Sequence, residues 1–281
     1  MKQVLAALFG LTTIACARSD SPRPPADSGA AVVANQRARI RQFWTVYGDA
    51  TLERVAGRPE TAAAGYVRSL ALNPDHEDAL YYLGSMRLAL GDFAAAESAW
   101  RHLVVVNPSS ARAHSQLGSL YLCLEQGAPF QLDSAEVHFR KAHEINMEET
   151  GPSLHLGEAA LMRGDLAAAG GWFRTVLGSH ANSTAAHFYG GYIAWKGGDL
   201  AAARQAFDQS IAAAKSGSVV AAVPGEGDTR AGATPMAAAR LRCGQLDALR
   251  AGLELGDAGR EMAGRYGRLD SLVIDASKRR R

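Results

Sequence analysis

A six-residue phrase that occurs three times constrains the fold of this chain more than any other feature. Each copy consists of Gly-Asp, then Phe or Leu, then three alanines, and the copies start at Gly91, Gly164 and Gly198. The second and third copies start 34 residues apart, and the first and second start 73 apart, which is two such periods plus five residues. A fixed period of about 20 to 50 residues is typical of proteins built from stacked structural repeats.

The unit that begins at Glu77 shows what each period contains. Its first half predicts an amphipathic helix that carries Leu80, Leu83 and Gly84, and its second half predicts another helix with Ala96, Trp100 and Leu103 before Pro108. This pattern resembles the tetratricopeptide repeat, whose consensus places a Leu-Gly pair in one helix, Ala and an aromatic residue in the next, and a closing Pro. The resemblance implies an all-α fold, namely a right-handed solenoid of about five helix-turn-helix units.

Physical reasons support this assignment. Gly84 and Ala96 have almost no side chain, so that two antiparallel helices can approach closely there. Gly91 is suited to end the first helix and Asp92 to cap the second. Pro108 cannot continue a helix.

The same pattern predicts the extent of the array. Its five units cover about 43–76, 77–110, 111–149, 150–183 and 184–217, within an array at 37–217. The five extra residues between the first two phrases fall between the two helices of the third unit, in the segment 125–130.

The N-terminus has the pattern of an export signal. One cation, Lys2, precedes an apolar run of signal-peptide length within residues 1–15. Small residues then precede Cys16, which resembles the lipobox of bacterial lipoproteins. That resemblance implies a lipidated Cys16 and residence on the periplasmic face of the outer membrane, since Ala17 follows the cysteine. The composition of 16–36, rich in Pro, Ser and Ala, predicts a flexible linker behind the lipidated N-terminus, because such a segment buries too little apolar surface to fold. An ordinary cleaved signal with a coincidental cysteine is the alternative.

The C-terminal part lacks the repeat phrase. We predict a loop at 218–234 and two capping helices within 235–281, at about 235–255 and 258–276, which a solenoid needs to cover its last apolar face. A degenerate sixth repeat is an alternative for this region. Cys123 and Cys243 either form a disulfide in an exported protein or are two small buried hydrophobic residues.

Motifs for catalysis and for ligands are missing from the sequence. The eight histidines include no His-Glu-x-x-His arrangement, and no nucleophile motif is recognisable. A net charge of +2 provides no clustered basic face for a nucleic acid. We therefore expect no enzyme activity, catalytic residue, metal, cofactor, small-molecule substrate or nucleic acid partner.

The resemblance also implies a binding groove, because the first helices of tetratricopeptide arrays line a concave face. The Lys/Asn/Arg set with which some family members clamp a terminal carboxylate is missing. The alternative is that several groove positions pack against the chain's own termini, and Trp195 above all. The positions that would face the groove are Tyr81, Ser85, Leu88, Ser115, Ser119, Leu122, Leu154, Glu158, Leu161, Phe188, Tyr192 and Trp195.

Together these features predict a non-enzymatic lipoprotein scaffold or assembly factor of the bacterial cell envelope. It would bind an unidentified protein or peptide in its groove and contact the membrane through its lipid anchor. Two alternatives are an accessory subunit that docks an envelope or peptidoglycan enzyme, and an enzyme with a site in the C-terminal third.

Overall fold

The computed structural model describes residues 27–220, 243–253 and 258–279. The chain divides into two compact units, residues 1–41 and 42–281. The predicted signal peptide, Cys16 and most of the predicted linker and loop lie outside the described residues.

The described residues form α-helices and contain no strand, as the repeat pattern predicts. The helices are α1 (Asp27–Val55), α2 (Pro59–Leu72), α3 (Glu77–Ala89), α4 (Phe93–Val106), α5 (Ala111–Tyr121), α6 (Leu132–Ile145), α7 (Thr150–Arg163), α8 (Leu166–Ser179), α9 (Thr184–Lys196), α10 (Leu200–Val220), α11 (Gln245–Ala248) and α12 (Ala258–Arg279).

The helices α3 to α10 pack as successive pairs. Within a unit, α3 packs on α4, α5 on α6, α7 on α8 and α9 on α10, and each second helix also contacts the first helix of the next unit. Ahead of them, Gly65 of α2 lies against Ala50 of α1 in a degenerate first pair. This stacking confirms an all-α helical solenoid.

The Gly-Asp phrase forms the turn inside a unit. Gly91, Gly164 and Gly198 have φ angles of 77°, 82° and 83°, in the left-handed region that glycine adopts without strain. The following aspartate then caps the next helix: Asp165, for example, accepts a hydrogen bond from the backbone N–H of Ala168 at 2.9 Å. The predicted turn and N-cap are therefore confirmed.

The glycines at the close-packing positions of α3, α5 and α7 each face an aromatic ring. A Cβ atom added at Gly118 would lie 2.7 Å from the Phe139 ring, and one at Gly84 or Gly157 would clash with Trp100 or Phe173. In each of these units a buried ring of the second helix fills the space that glycine leaves on the first. This arrangement fixes the distance between the paired helices.

The extra five residues lie where the sequence places them. The connection between α5 and α6 spans 122–131, much longer than the turns inside other units. Its two ends meet where the backbone N–H of Gln131 donates to the Tyr121 carbonyl at 2.8 Å.

The N-terminal boundary differs from the prediction. Helix α1 begins at Asp27, inside the segment 16–36 that was predicted to be a linker. After Pro25 the sequence contains no further proline until Pro59, and it supplies alanines and long side chains that favour helix. The Pro-rich residues before Asp27 suggested a flexible segment, and the prediction was wrong in assigning the same character to residues 27–36.

The C-terminal part also requires a correction. The predicted helix at about 235–255 is wrong over residues 243–253, which form turns and the single short helix α11. Cys243 has a φ angle of 60° and Gly252 one of 72°, and a continuous α-helix cannot include either conformation. The second predicted helix is present as α12, which packs against α7 and α10 instead of adding a helix pair to the array.

Membrane spans were searched over the described residues, and none of their helices is long and apolar enough to cross a bilayer.

Candidate binding groove

The first helices of the units, α3, α5, α7 and α9, share one face, which we call the groove: residues of α3, α5 and α7 line a common cavity, and residues of α7 and α9 contact the C-terminal part of the chain. Two C-terminal segments lie on it. We call residues 243–253 the strap, and the strap reaches α5 and α7. Helix α12 lies against α7 and α9. The groove therefore has a covered half, at α7 and α9, and an open half, at α3 and α5.

Tyr266 of α12 is the centre of the covered half. Its ring is fully buried and contacts Phe188, Tyr192 and Trp195 at ring-centroid distances of 5.3, 6.0 and 6.1 Å. Phe188 and Tyr192 are 0% and 1% exposed. Their predicted role as exposed groove anchors is wrong in this structure, since the chain's own C-terminal helix covers them, as the alternative interpretation held for Trp195.

Polar contacts complete this cover. Asp270 of α12 accepts a hydrogen bond from the Tyr192 hydroxyl at 2.9 Å and forms an ion pair with Lys196 at 2.8 Å. The Lys196 ammonium, which donates a hydrogen bond to Asp270, lowers the pKa of that carboxyl group. Helix α12 is therefore held by a charge pair at its edge as well as by apolar packing.

A disulfide joins the strap to the connection between α5 and α6. Cys123, which directly follows α5 and its cap, bonds to Cys243 across 120 residues of sequence. The backbone N–H of Cys243 also donates to the Glu125 carboxylate at 2.6 Å. The sequence left the pairing of these cysteines open, and the structure forms the bond.

A buried ion pair fixes the strap on α7. Glu158 is 3% exposed and accepts hydrogen bonds from the Tyr189 hydroxyl at 2.7 Å and from Arg250 of the strap at 3.3 Å. It also contacts His155 at 2.7 Å. Glu158 was predicted to face a partner, but its carboxylate is fully engaged within the chain.

The pKa values of this cluster follow from its charges. Desolvation is the largest single effect and opposes the ionised forms of both groups, but the charges and hydrogen bonds around the pair together outweigh it. These opposing effects leave the pKa of His155 raised, by Glu158 and Asp247, and the pKa of Glu158 lowered, by His155, Arg250 and the Tyr189 hydroxyl. Burial, with the adjacent Glu158 carboxylate, raises the pKa of Tyr189.

The open half contains a cavity of about 440 Å³. Its lining combines tyrosine and aliphatic side chains with hydroxyl and amide groups, and the strap closes one side. The lining residues from the repeats are Arg54, Tyr81, Tyr82, Ser85, Met86, Leu88, Gln116, Ser119, Leu120, Leu122, Leu124, His155 and Glu158, and those from the strap are Cys243, Gly244, Gln245, Leu246 and Asp247.

The cavity contains only some of the predicted groove positions, namely Tyr81, Ser85, Leu88, Ser119, Leu122 and Glu158. Leu161 is fully buried, Leu154 packs against the core, and the hydroxyl of Ser115 is buried without a hydrogen-bond partner among the described residues. Sequence analysis did not predict that Arg54 and Tyr82 line the cavity, although the periodicity of their helices could have indicated it. It also did not predict the strap, because no local pattern indicates that residues 243–253 reach the groove.

Possible metal ligands were searched over the described ranges. One group of three, Cys123, Glu125 and Cys243, has its ligand atoms within 4.8 Å of one another. Both thiols are used in the disulfide, so these residues do not offer thiolate ligands in this state. This group therefore has a structural role.

The fold and groove define a class: a helical repeat solenoid with a partly occupied inner face. A sequence model of the tetratricopeptide repeat family matches residues 47–100 and 173–218. An FK506-binding protein-like protein of Mus musculus is 33% identical over 79 residues, which are 28% of this chain and 23% of that protein. The chain thus spans about a quarter of that relative's length.

Solved structures agree in fold. MamA from Desulfovibrio magneticus superposes with a TM-score of 0.56 and 16% identity, covering 62% of this chain and 96% of that one. YrrB, described as a tetratricopeptide repeat protein with an unusual peptide-binding site, superposes at 0.50 with 20% identity, covering 60% of this chain and 84% of that one. Residues 47–100 and 173–218 are therefore identified as tetratricopeptide repeats, and the likeness of the chain to the solved structures is one of fold.

Proposed function

We propose that this protein is a non-enzymatic scaffold of the bacterial cell envelope that binds a protein or peptide segment in the open half of its groove. The observation that carries the proposal is the cavity of about 440 Å³ on the inner face of α3 and α5. Ligand-binding clefts commonly have volumes of about 300 to 1,000 Å³, with apolar walls and a few polar groups.

The composition of the cavity suits a polypeptide. Tyr81 and Tyr82 provide rigid apolar area with a polar end, which is the kind of residue enriched at protein interfaces. Ser85, Gln116 and Ser119 provide hydroxyl and amide groups for a peptide backbone. The peptide-binding site named for YrrB is consistent with this use of the fold.

Two features support an envelope location. The disulfide between Cys123 and Cys243 supports export, because disulfides persist in oxidising compartments and are rare in the cytosol. The signal-like residues 1–15 and Cys16 support a lipid anchor at the periplasmic face of the outer membrane. Cys16→Ala should then move the protein from the membrane fraction to the soluble fraction, and unchanged fractionation would contradict the anchor.

Site-specific photo-crosslinking tests the groove. A photo-reactive amino acid placed at Ser85 or Ser119 should capture a partner in cells, because both positions line the cavity. The matched control is Val105, which is 78% exposed on α4 and does not line the cavity. Equal capture from Val105, or none from the two serines, would contradict groove binding. Ser119→Trp, which fills the cavity, should abolish capture from Ser85.

A further inference from the structure

Arg54 lies at the edge of the cavity, and two aromatic residues hold it. Its guanidinium carbon is 4.2 Å from the centroid of the Tyr82 ring, and its Nε donates a hydrogen bond to the Tyr66 hydroxyl at 3.2 Å. The side chain comes from the last turn of α1, whereas Tyr82 belongs to α3. Arg54 is thus fixed between two units before any partner binds.

Arg54 is also the charge that the cavity leaves uncompensated. The other titratable groups in the lining whose contacts bear on its charge are His155 and Glu158, which pair with each other, and Asp247, which pairs with Arg250; Arg250 also pairs with Glu158. Within the described part of the chain, Arg54 forms no ion pair; its polar partner is the neutral Tyr66 hydroxyl.

The nearby carboxylates are engaged with other arginines. Glu53, the neighbour of Arg54 in sequence, pairs with Arg58, and Asp78 at the start of α3 pairs with Arg112. These pairs leave the Nη groups of Arg54 available to an external anion. A guanidinium that is stacked on a ring presents a planar pair of donors, which matches a carboxylate in a bidentate geometry.

We propose that the segment bound in the open half of the groove is an extended acidic peptide, and that the side-chain carboxylate of one of its Asp or Glu residues pairs with Arg54. This inference rests on the proposed function and assigns the partner class for the same site. A side-chain carboxylate fits better than a chain terminus, because terminal carboxylates are captured by nests of several donors. The lining offers one uncompensated cation, beside neutral groups suited to a continuing backbone.

A display selection tests the inference with random 12-residue peptides fused at their C-termini, so that the peptides carry no free carboxyl end. The full chain should enrich peptides with Asp or Glu at one fixed position. Arg54→Glu should instead enrich Lys or Arg at that position, an inversion that a purely structural role of Arg54 would not produce. Arg204→Gln is the matched control, because Arg204 is an exposed residue of α10 that pairs with Asp208.

Affinity measurements with an enriched synthetic peptide complete the test. Arg54→Gln should weaken binding by about tenfold, and replacing the acidic residue of the peptide by its amide should weaken it equally, with no further loss when both changes are combined. Amidation of the peptide C-terminus should have no effect. If Arg54→Glu does not fold by circular dichroism, Arg54→Lys should keep the acidic selection while Arg54→Gln loses it.

The outcomes separate the two proposals. Enriched peptides without an acidic position, or the same acidic selection by Arg54→Glu, would overturn the inference and leave groove binding intact. Binding that requires a free peptide C-terminus would also overturn it. If the wild-type protein enriches no peptide from this library or from a second library displayed with free C-termini, both the inference and the proposed function fail.

Discussion

The two halves of the groove are built from the same repeat, but one half is buried within the protein and the other lines a cavity. In the covered half, Phe188 and Tyr192 are buried beneath the protein's own helix α12. In the open half, Tyr81 and Ser85 occupy the equivalent positions and line a cavity. A repeat position therefore determines only that a side chain points to the inner face, and what covers that face is decided by segments outside the array.

The difference also separates stability from binding. An aromatic residue in the covered half contributes the full free energy of burial to folding. One in the open half keeps part of its surface for a partner. Truncating an aromatic side chain should therefore lower the free energy of unfolding in the covered half, and should lower the affinity for a bound segment in the open half.

The largest effect is expected at Tyr266. Tyr266→Ala should lower the free energy of unfolding by about 4 kcal/mol, since it removes a fully buried ring and leaves a cavity against Phe188 and Phe207. Urea unfolding followed by circular dichroism measures this loss. Tyr81→Ala, in the open half, should cost less than about 2 kcal/mol, because its ring is only partly buried. Equal losses would remove the contrast between the halves.

Tyr266→Phe is the matched control for that substitution. The Tyr266 hydroxyl is buried with no hydrogen-bond partner among the described residues. Removing it keeps the ring and relieves an unsatisfied polar group, so the stability should be unchanged or slightly higher.

The next effect concerns the disulfide that holds the strap. Cys243→Ala should lower the free energy of unfolding by about 3 kcal/mol, because the bond closes a loop of 120 residues and so restricts the unfolded chain. Chemical denaturation compares the variant with wild type. Wild-type protein treated with a reductant should match the variant, and the variant itself should not respond to the reductant. A loss below about 1 kcal/mol would mean that the strap is held mainly by its other contacts.

The smallest effect is a pH dependence with opposite signs in two clusters. In the third unit, the Nδ1 atoms of His114 and His138 are 2.9 Å apart. Burial, together with the charges of His114 and Arg101, lowers the pKa of His138 to about 4. The unfolded chain binds this proton near pH 6.5, so that stability should fall as the pH drops from 6.5 to 4, by about 2 kcal/mol once solvent screening of the partly exposed ring is allowed for. His138→Gln should remove this loss.

The sign is reversed for His155 at the strap. The Glu158 carboxylate raises the pKa of His155 against the effect of desolvation. The stabilisation is therefore complete below pH 6.5 and is lost as the pH rises through the folded-state pKa. His155→Gln should flatten this alkaline decline in a series of thermal melts, whereas His138→Gln should leave the alkaline decline unchanged. If the melting temperature of His155→Gln and that of His138→Gln decline with the same slope at alkaline pH, the assignment of this decline to His155 is wrong.

Much of the fold could be predicted because its signals are local. Gly91 and Asp92 form a turn and a cap within a few residues, and Gly84 faces the ring of Trp100 in the paired helix. Such contacts recur at the repeat period, so that the sequence shows them several times. The insertion at 125–130 was located by the same period.

The site was predicted only in part because its contacts are long-range. Arg250 reaches Glu158 across 92 residues, and Tyr192 reaches Asp270 across 78. No period relates such residues, and the turns at Cys243 and Gly252 that bring the strap to the groove have no repeat signal. The expectation that Phe188 is exposed was wrong because an inner-face position carries no information about a later segment.

The sequence by itself determined the repeat, its turns, its paired helices and the face on which binding residues lie, since each depends on residues within one period. Only the tertiary structure decided that α12 covers one half of the groove, and that the strap closes one side of the cavity in the other half. The physical reason is that the burial of a side chain depends on which distant segment packs over it. In this protein, α12 packs over Tyr192 and buries it, whereas Tyr81 lines the cavity.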